Sequence, residues 1–172
     1  MKNKSFNYDP EVLKKCAELK KPASEKFFRS LKKGQQNKLD EAVHKLHHVI
    51  FSKIDCLQCA NCCKNLGPRI SDRDIEKLSR HFRIKPSNFI SKYLRIDEDR
   101  DYVFKKMPCP FLDSENYCLV YSERPKACRE YPHTDRRRIY QIYDLIIKNT
   151  FICPAVYEIM EKLKSNPQYI FK

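Results

Sequence analysis

Cys56-Leu57-Gln58-Cys59-Ala60-Asn61-Cys62-Cys63 is the stretch on which the reading of this 172-residue chain turns. A two-residue spacer lets a tight turn present both of its sulfurs to one metal, and zinc and iron–sulfur sites share the spacing for that reason. One such pair is weak evidence; cysteines repeated at this spacing and closed by an adjacent fourth are strong evidence. Neighbouring side chains diverge, so Cys62 and Cys63 are expected to reach two metals, or two irons of one cluster. Downstream, Cys109, Cys118, Cys128 and Cys153 bring the set to eight, the number that two four-thiolate sites require. Proline stands beside Cys109 (Pro108, Pro110) and Cys153 (Pro154), where it stiffens the backbone and removes a donor that would need a partner.

Nine cysteines call for a compartment. The basic start Met1-Lys2-Asn3-Lys4 lacks the apolar stretch of a secretory signal, and no apolar run approaches the roughly 18 residues that span a bilayer. A cytoplasmic location is the expectation, and there dense cysteine points to metal or catalysis rather than disulfides. The odd count and the adjacent pair also argue against a disulfide framework. The ninth thiol, Cys16, falls among the apolar positions of a helix and reads as a small core residue.

The formal charge is +13. Eight thiolates holding two dications subtract four charges and leave about +9, so the protein stays basic. A basic surface suits nucleic acid, acidic proteins or anionic lipid; charge alone names none of them.

Outside the cysteine series the pattern is helical. Residues 1–53 read as a basic helical N-terminal extension, and 54–172 as a cysteine cluster metal-binding domain. Val12, Leu13, Cys16 and Leu19 share one face of a helix that Pro22 is expected to close. Phe27, Phe28 and Leu31 mark a second segment, breaking near Gly34. Leu39, Val43, Leu46 and Ile50 have the spacing of an amphipathic third.

Ser71-Asp72-Arg73-Asp74 has the form of a capping box opening a helix through Ile75, Leu78 and Phe82. Pro86-Ser87 opens another, carrying Phe89, Ile90 and Leu94. Tyr102-Val103-Phe104 and Cys118-Leu119-Val120-Tyr121 are the strand candidates. Ser122 is expected to cap a helical turn with Pro125 in its first turn and Cys128 and Arg129 upon it. Ile139, Ile142, Tyr143, Ile146 and Ile147 predict a helix, and Pro154 a last one with Val156, Ile159, Met160 and Leu163 inward. The fold expected is mainly α with a small β hairpin, its irregular cysteine-rich metal-binding loops packed among short helices. Gly34 and Gly67 are the sole glycines; metal bonds are expected to order the loops that turn chemistry does not.

The series Cys56 to Cys63, with Cys109-Pro110-Phe111-Leu112, Cys118-Leu119-Val120-Tyr121, Arg124-Pro125-x-x-Cys128-Arg129-x-Tyr131-Pro132 and Cys153-Pro154, resembles the bacterial and archaeal CxxCxxCC family, also called YkgJ-type cysteine cluster proteins. The resemblance covers residues 54 to about 160. It implies a zinc- or iron-chelating domain, often labelled an Fe–S oxidoreductase without an established reaction. The domain also resembles part of flagellin lysine methylases, but the chain looks too short for a full methyl-donor site and that activity is not carried over.

Either cofactor suits the donors. Zn²⁺ accepts any four-thiolate arrangement. An iron–sulfur cluster is favoured by the Cys-x₂-Cys-x₂-Cys series with remote Cys-Pro pairs, a ferredoxin-like form from which Cys63 departs. Arg124 and Arg129 flank Cys128 and are expected to supply positive charge and hydrogen bonds near its sulfur; the bland alternative pairs them with Glu123 or Glu130.

His44 and His48 have metal-pair spacing but lack the protease glutamate, so they read as a solvated helix face. His133 is a minor alternative ligand, and Arg136-Arg137-Arg138 a minor candidate for phosphate contact. Three functions follow. The first is an accessory or electron-transferring metal protein working with a protein or redox partner. The second is an iron–sulfur oxidoreductase or modifying enzyme with an open metal site. The third is a zinc-bearing nucleic-acid binder, possible but not favoured. No paired nucleophile and base, phosphate loop or dinucleotide fingerprint is present.

Overall fold

The computed structural model describes residues 9–171. In chain order the elements are α1 (Pro10–Arg29), α2 (Gln36–Phe51), α3 (Cys56–Cys59), α4 (Asn61–Asn65), α5 (Asp72–His81), α6 (Pro86–Tyr93), β1 (Leu94–Ile96), β2 (Tyr102–Phe104), α7 (Lys126–Glu130), α8 (Tyr143–Asn149), α9 (Pro154–Ser165) and α10 (Gln168–Phe171). Two 3₁₀ turns, Tyr121–Glu123 and Ile139–Ile142, precede α7 and α8. The protein is mainly α with one small antiparallel hairpin among the described residues. It forms two compact units, one combining the chain up to Asp55 with the chain from Pro132 onward, the other Cys56–Tyr131.

The discontinuous unit is all helical. Asp9 caps α1, its carboxylate accepting from the Glu11 N–H at 2.8 Å and the Val12 N–H at 3.2 Å, with Pro10 in the first turn. The helix runs straight through Pro22 instead of closing there. An internal proline costs about 3 kcal/mol. Leu13 and Ala17 before it and Phe27 and Phe28 after it are all buried, and each large side chain contributes about 1.5–3 kcal/mol, which outweighs the break. The buried face is therefore Leu13-Ala17-Ser24-Phe27-Phe28 rather than the expected one, and Leu19 is 79% exposed and Val12 51%. Cys16 packs with Leu13, Ala17 and Tyr157, as a small core residue should.

α2 buries Leu39, Val43, Leu46 and Ile50 as its periodicity predicts, and lies against α9, whose Val156, Ile159, Met160 and Leu163 face inward. The helix expected from Ile139 divides: Asp40 on α2 takes the N–H groups of Arg138 (2.6 Å) and Ile139 (3.0 Å), capping a 3₁₀ turn before α8. α9 is not the last helix, since α10 follows and packs on α2.

The Cys56–Tyr131 unit has an aromatic core. Phe82, Phe89, Tyr93, Phe104 and Phe111 stack with ring centroids 5.0–6.3 Å apart around Ile75, Leu78 and Leu94. The Ser71 capping box is present: its hydroxyl accepts from the Asp74 N–H while Asp74 accepts from the Ser71 N–H. α5 ends one residue before Phe82. Leu94 leaves α6 to begin β1, which pairs with β2 in the register Leu94↔Phe104, Arg95↔Val103 and Ile96↔Tyr102. The strand expected at Cys118–Tyr121 reduces to a single bridge, Leu112↔Cys118. Beyond it the chain turns at once, with the Tyr121 N–H on the Cys118 carbonyl at 3.2 Å.

Candidate metal centre

Each cysteine owes its place to local backbone chemistry. Cys56 and Cys59 occupy the one-turn α3, closed by the Ala60 N–H on the Cys56 carbonyl at 2.9 Å. Ala60 then takes a left-handed conformation (φ 45°) that redirects the chain into α4, where Cys62 and Cys63 follow. A β-carbon there costs about 1–2 kcal/mol. The chain holds it with Asn61, which is buried and receives the Asn65 side-chain amide on its carbonyl (2.9 Å) and its side-chain oxygen (2.8 Å).

Cys109 is drawn to this loop by its main chain, its N–H donating to the Cys63 carbonyl at 2.8 Å. The Cys109 carbonyl in turn accepts from Leu112, the bridge partner of Cys118. Cys109 and Cys118 both pack on the aromatic core. Asp113 shapes the turn between them, accepting from Glu115 (2.9 Å) and Tyr117 (2.7 Å), and Asn116 reaches the Gln58 carbonyl of α3 at 3.4 Å.

Cys128 rides on α7. Ser122 falls in the 3₁₀ turn and Pro125, not Ser122, stands at the N-cap of α7, because a residue before proline is pushed to extended backbone and Arg124 accordingly has ψ 138°. Asp74 supplies what the cap lacks: its second carboxylate oxygen accepts the Lys126 N–H at 3.0 Å. One buried side chain, 5% exposed, thus starts α5 and anchors α7.

Cys63, Cys109, Cys118 and Cys128 come from four separate segments and act on one another electrostatically. A hydrogen bond from Cys62, the two sulfurs 3.9 Å apart, brings Cys63 down to about 7 against the opposing effect of burial. Burial pushes Cys109 up to about 11 and Cys128 up to about 12, and also raises Cys118. In every case the neighbouring thiols add to the rise, while Arg124 favours the thiolates of Cys63, Cys118 and Cys128.

Arg124 lies 3.6 Å over the Tyr121 ring and donates from Nε to the Tyr121 carbonyl at 2.9 Å, and the Arg129 guanidinium donates to the Arg124 carbonyl. Glu123 pairs with Lys77 at 3.0 Å and Glu130 with Lys126 at 3.6 Å, so the bland pairing of the two arginines is not the one adopted.

Soft, partly desolvated thiols beside a guanidinium form a donor set that fits zinc or an iron–sulfur cluster in kind. Among the described residues, no three cysteine, histidine or acidic side chains stand together as a metal-holding group. Cys56 is exposed and Cys59 partly so. Cys153 belongs to the helical unit, where it begins α9, donates its N–H to the Asn149 carbonyl at 2.8 Å and packs on that unit's core.

The histidines of α2 are engaged elsewhere: His44 Nε2 meets the Arg136 carbonyl at 2.6 Å and His47 Nδ1 the Thr134 hydroxyl at 2.8 Å. Sequence reasoning missed the double role of Asp74 and the Tyr121 platform. The capping box was a visible signal for the first half of Asp74's role; nothing local signals the rest.

The family model that matches, over residues 55–154, is CxxCxxCC, described as "Putative zinc- or iron-chelating domain". Comparison with curated proteins found no match, nor did comparison with solved structures.

Proposed function

Because this chain belongs to the CxxCxxCC family, its match spanning residues 55–154, we propose that it is a metal protein whose centre is built from Cys56, Cys59, Cys62, Cys63, Cys109, Cys118, Cys128 and Cys153. Its role is accessory or electron-transferring, in a reducing cytoplasm and with a protein or redox partner. The observation that carries this reading is the family match over residues 55–154, which spans all eight cysteines; the Cys109 N–H on the Cys63 carbonyl and the Leu112↔Cys118 bridge tie the segments of three of them to one another. Partly buried thiols near one another are costly to ionise alone, and a cation removes that cost. Cys153 enters on the sequence pattern and on the span of the family match.

Bound zinc would supply structural closure, and a bound iron–sulfur cluster would add one-electron chemistry. The chain's own residues do the rest. The Cys109–Cys63 main-chain bond and the Asp74–Lys126 tie orient the sulfurs. Arg124, held by Tyr121 and Arg129, offsets their negative charge. Among the described residues no helix is long and apolar enough to cross a membrane.

Anaerobic purification followed by an absorbance spectrum and elemental analysis tests the proposal. Iron with labile sulfide and a brown colour selects the cluster; two colourless zinc ions select zinc. A chain that folds cooperatively with free thiols and no metal refutes both. The solvent exposure of Cys56 favours one second reading, an iron–sulfur oxidoreductase or modifying enzyme with an open metal position, for which turnover requires an exogenous ligand at that position.

A further inference from the structure

Between two buried anchors, Thr134 and Ile139, lies the exposed run Asp135-Arg136-Arg137-Arg138. The loop is tied to α2 along its length. His47 Nδ1 meets the Thr134 hydroxyl at 2.8 Å and His44 Nε2 the Arg136 carbonyl at 2.6 Å. The Asp40 carboxylate accepts the N–H groups of Arg138 at 2.6 Å and Ile139 at 3.0 Å. Arg138 is held at φ 59°, a left-handed conformation that its β-carbon disfavours. Strain maintained by the surrounding structure points to a use for the shape it preserves.

These ties leave the positive charge of the loop unspent. Asp40 commits both carboxylate oxygens to main-chain N–H groups rather than to a guanidinium. Asp135, the single acid of the run, bears electrostatically on His47. Among the described residues none of Arg136, Arg137 and Arg138 stands in an ion pair. Arg136 Nε donates to the Arg137 carbonyl at 3.2 Å, which fixes one edge of its guanidinium. A merely solvated basic face has no need of such a frame. Lys14, Lys15 and Lys20, for comparison, are exposed on α1, a helix that forms to bury Leu13, Ala17, Phe27 and Phe28.

We infer that the Thr134–Ile139 loop binds the phosphodiester backbone of a nucleic-acid strand, without choice of sequence. A guanidinium is a planar fork that takes two phosphate oxygens at once. Three in succession match a polymer that carries one charge on every nucleotide. Carboxylates on a folded protein have no such fixed repeat, and polybasic attachment to anionic lipid draws on about four to eight cations. The inference goes beyond the metal-binding reading and does not rest on it, since every residue that frames the loop belongs to the helical unit.

The test is fluorescence anisotropy of a labelled single-stranded RNA, about 20 nucleotides of mixed sequence, titrated with the full-length chain from about 50 to about 200 mM salt. Three phosphate contacts contribute about −2 to the slope of log affinity against log salt, about a 20-fold loss across that range. R136Q/R137Q/R138Q should therefore make the slope shallower by about two. K14Q/K15Q/K20Q removes the same charge from α1 and should change it by less than about half a unit. D40A makes the chain more positive yet releases the Arg138 and Ile139 N–H groups, so it should bind severalfold more weakly, where net charge alone would tighten binding. Equal loss in the two triple variants overturns the inference, as does tighter binding by D40A with helical content unchanged. Should D40A unfold, the pair of triple variants still decides. Vesicles containing phosphatidylserine, or poly-glutamate, that displace the RNA at a lower charge concentration than unlabelled RNA requires also overturn it, making the loop a membrane or protein contact. None of these outcomes touches the metal-binding reading, which elemental analysis decides.

Discussion

Asp74 offers the most discriminating test of how the centre is positioned. Its carboxylate accepts the Ser71 N–H at 3.1 Å, the Ser71 hydroxyl at 2.6 Å and the Lys126 N–H at 3.0 Å, from a side chain 5% exposed. S71A removes a cap, a loss of about 1 kcal/mol. D74A removes the reciprocal half of the capping box and strands the Lys126 N–H, and hydrogen bonds to a charged acceptor contribute about 1.5–3 kcal/mol each. The expected loss in D74A is therefore about 3–5 kcal/mol, two or more beyond S71A, with D74N between them because its amide keeps one acceptor oxygen.

With two units in one chain, a single melting curve blends their contributions. Peptide-resolved amide hydrogen exchange is the assay, comparing α5 and α7 in each variant. S71A should expose α5 alone. D74A should expose both helices and reduce metal retention, because α7 carries Cys128. If D74A and S71A agree within about 0.5 kcal/mol and α7 stays protected in both, the tie through Asp74 does not position Cys128 and the reasoning fails.

Other expectations are briefer. Cys109, Cys118 and Cys128 are raised and Cys63 lies near 7. Ion uptake by these four thiols at pH 7 to 8 is therefore expected to expel about three protons from them, and affinity to climb steeply with pH; chelator competition from pH 6.5 to 8 measures it, and release of one proton or fewer contradicts it. L13A should cost about 2–5 kcal/mol, whereas L19A, on a side chain 79% exposed, should change stability by less than about 0.5 kcal/mol; urea unfolding separates them. Burial lowers His47, with Asp135 opposing. The unfolded chain thus takes up the proton first, and the stability this imidazole lends is complete above about pH 6.5 and lost as pH falls through the folded value. H47Q should flatten the decline of Tm between pH 7.5 and 5. R124Q, which leaves the sulfurs in place, should raise the pH needed for half-loading with cobalt, while R124K restores part of the shift.

Much of this was legible in the residues themselves. α2 and α9 follow their apolar periodicity because each buries one uninterrupted stripe. The Ser71 capping box is local chemistry and needs no partner to be recognised. The failures have a common cause, which is tertiary burial overriding a local signal. Pro22 predicts a stop, yet Phe27 and Phe28 beyond it gain more from burial than the break costs. Cys118-Leu119-Val120-Tyr121 has strand composition, but one bridge is all its partner offers before the chain turns to bring Arg124 back over Tyr121. Leu94 fits the α6 stripe and is taken by β1, where it faces Phe104.

At the site, the spacing of the cysteines announced metal without announcing which sulfurs would gather. That choice is made by contacts between residues far apart in the chain, such as Cys63 with Cys109 and Asp74 with Lys126. The scarcity of glycine had its own consequence. Left-handed backbone falls instead on Ala60, Arg83, Arg100, Asn116, His133 and Arg138, and it is Ala60 that parts Cys59 from Cys62.

The interleaving of the two units along the chain also sets an order of events at the ribosome. α2 packs on α9, but the segment Cys56–Tyr131 is synthesised between them. At about 5–20 residues per second, the interval from Phe51 to Pro154 lasts on the order of 5–20 s. Seven of the eight cysteines of the proposed centre are thus made while the apolar faces of α1 and α2 still await the helix that will cover them, and Cys153 arrives only with that helix. Metal supply to the nascent chain and chaperone protection of α1 and α2 are in that sense needed together, and a shortage of either should surface as aggregation before the protein is released.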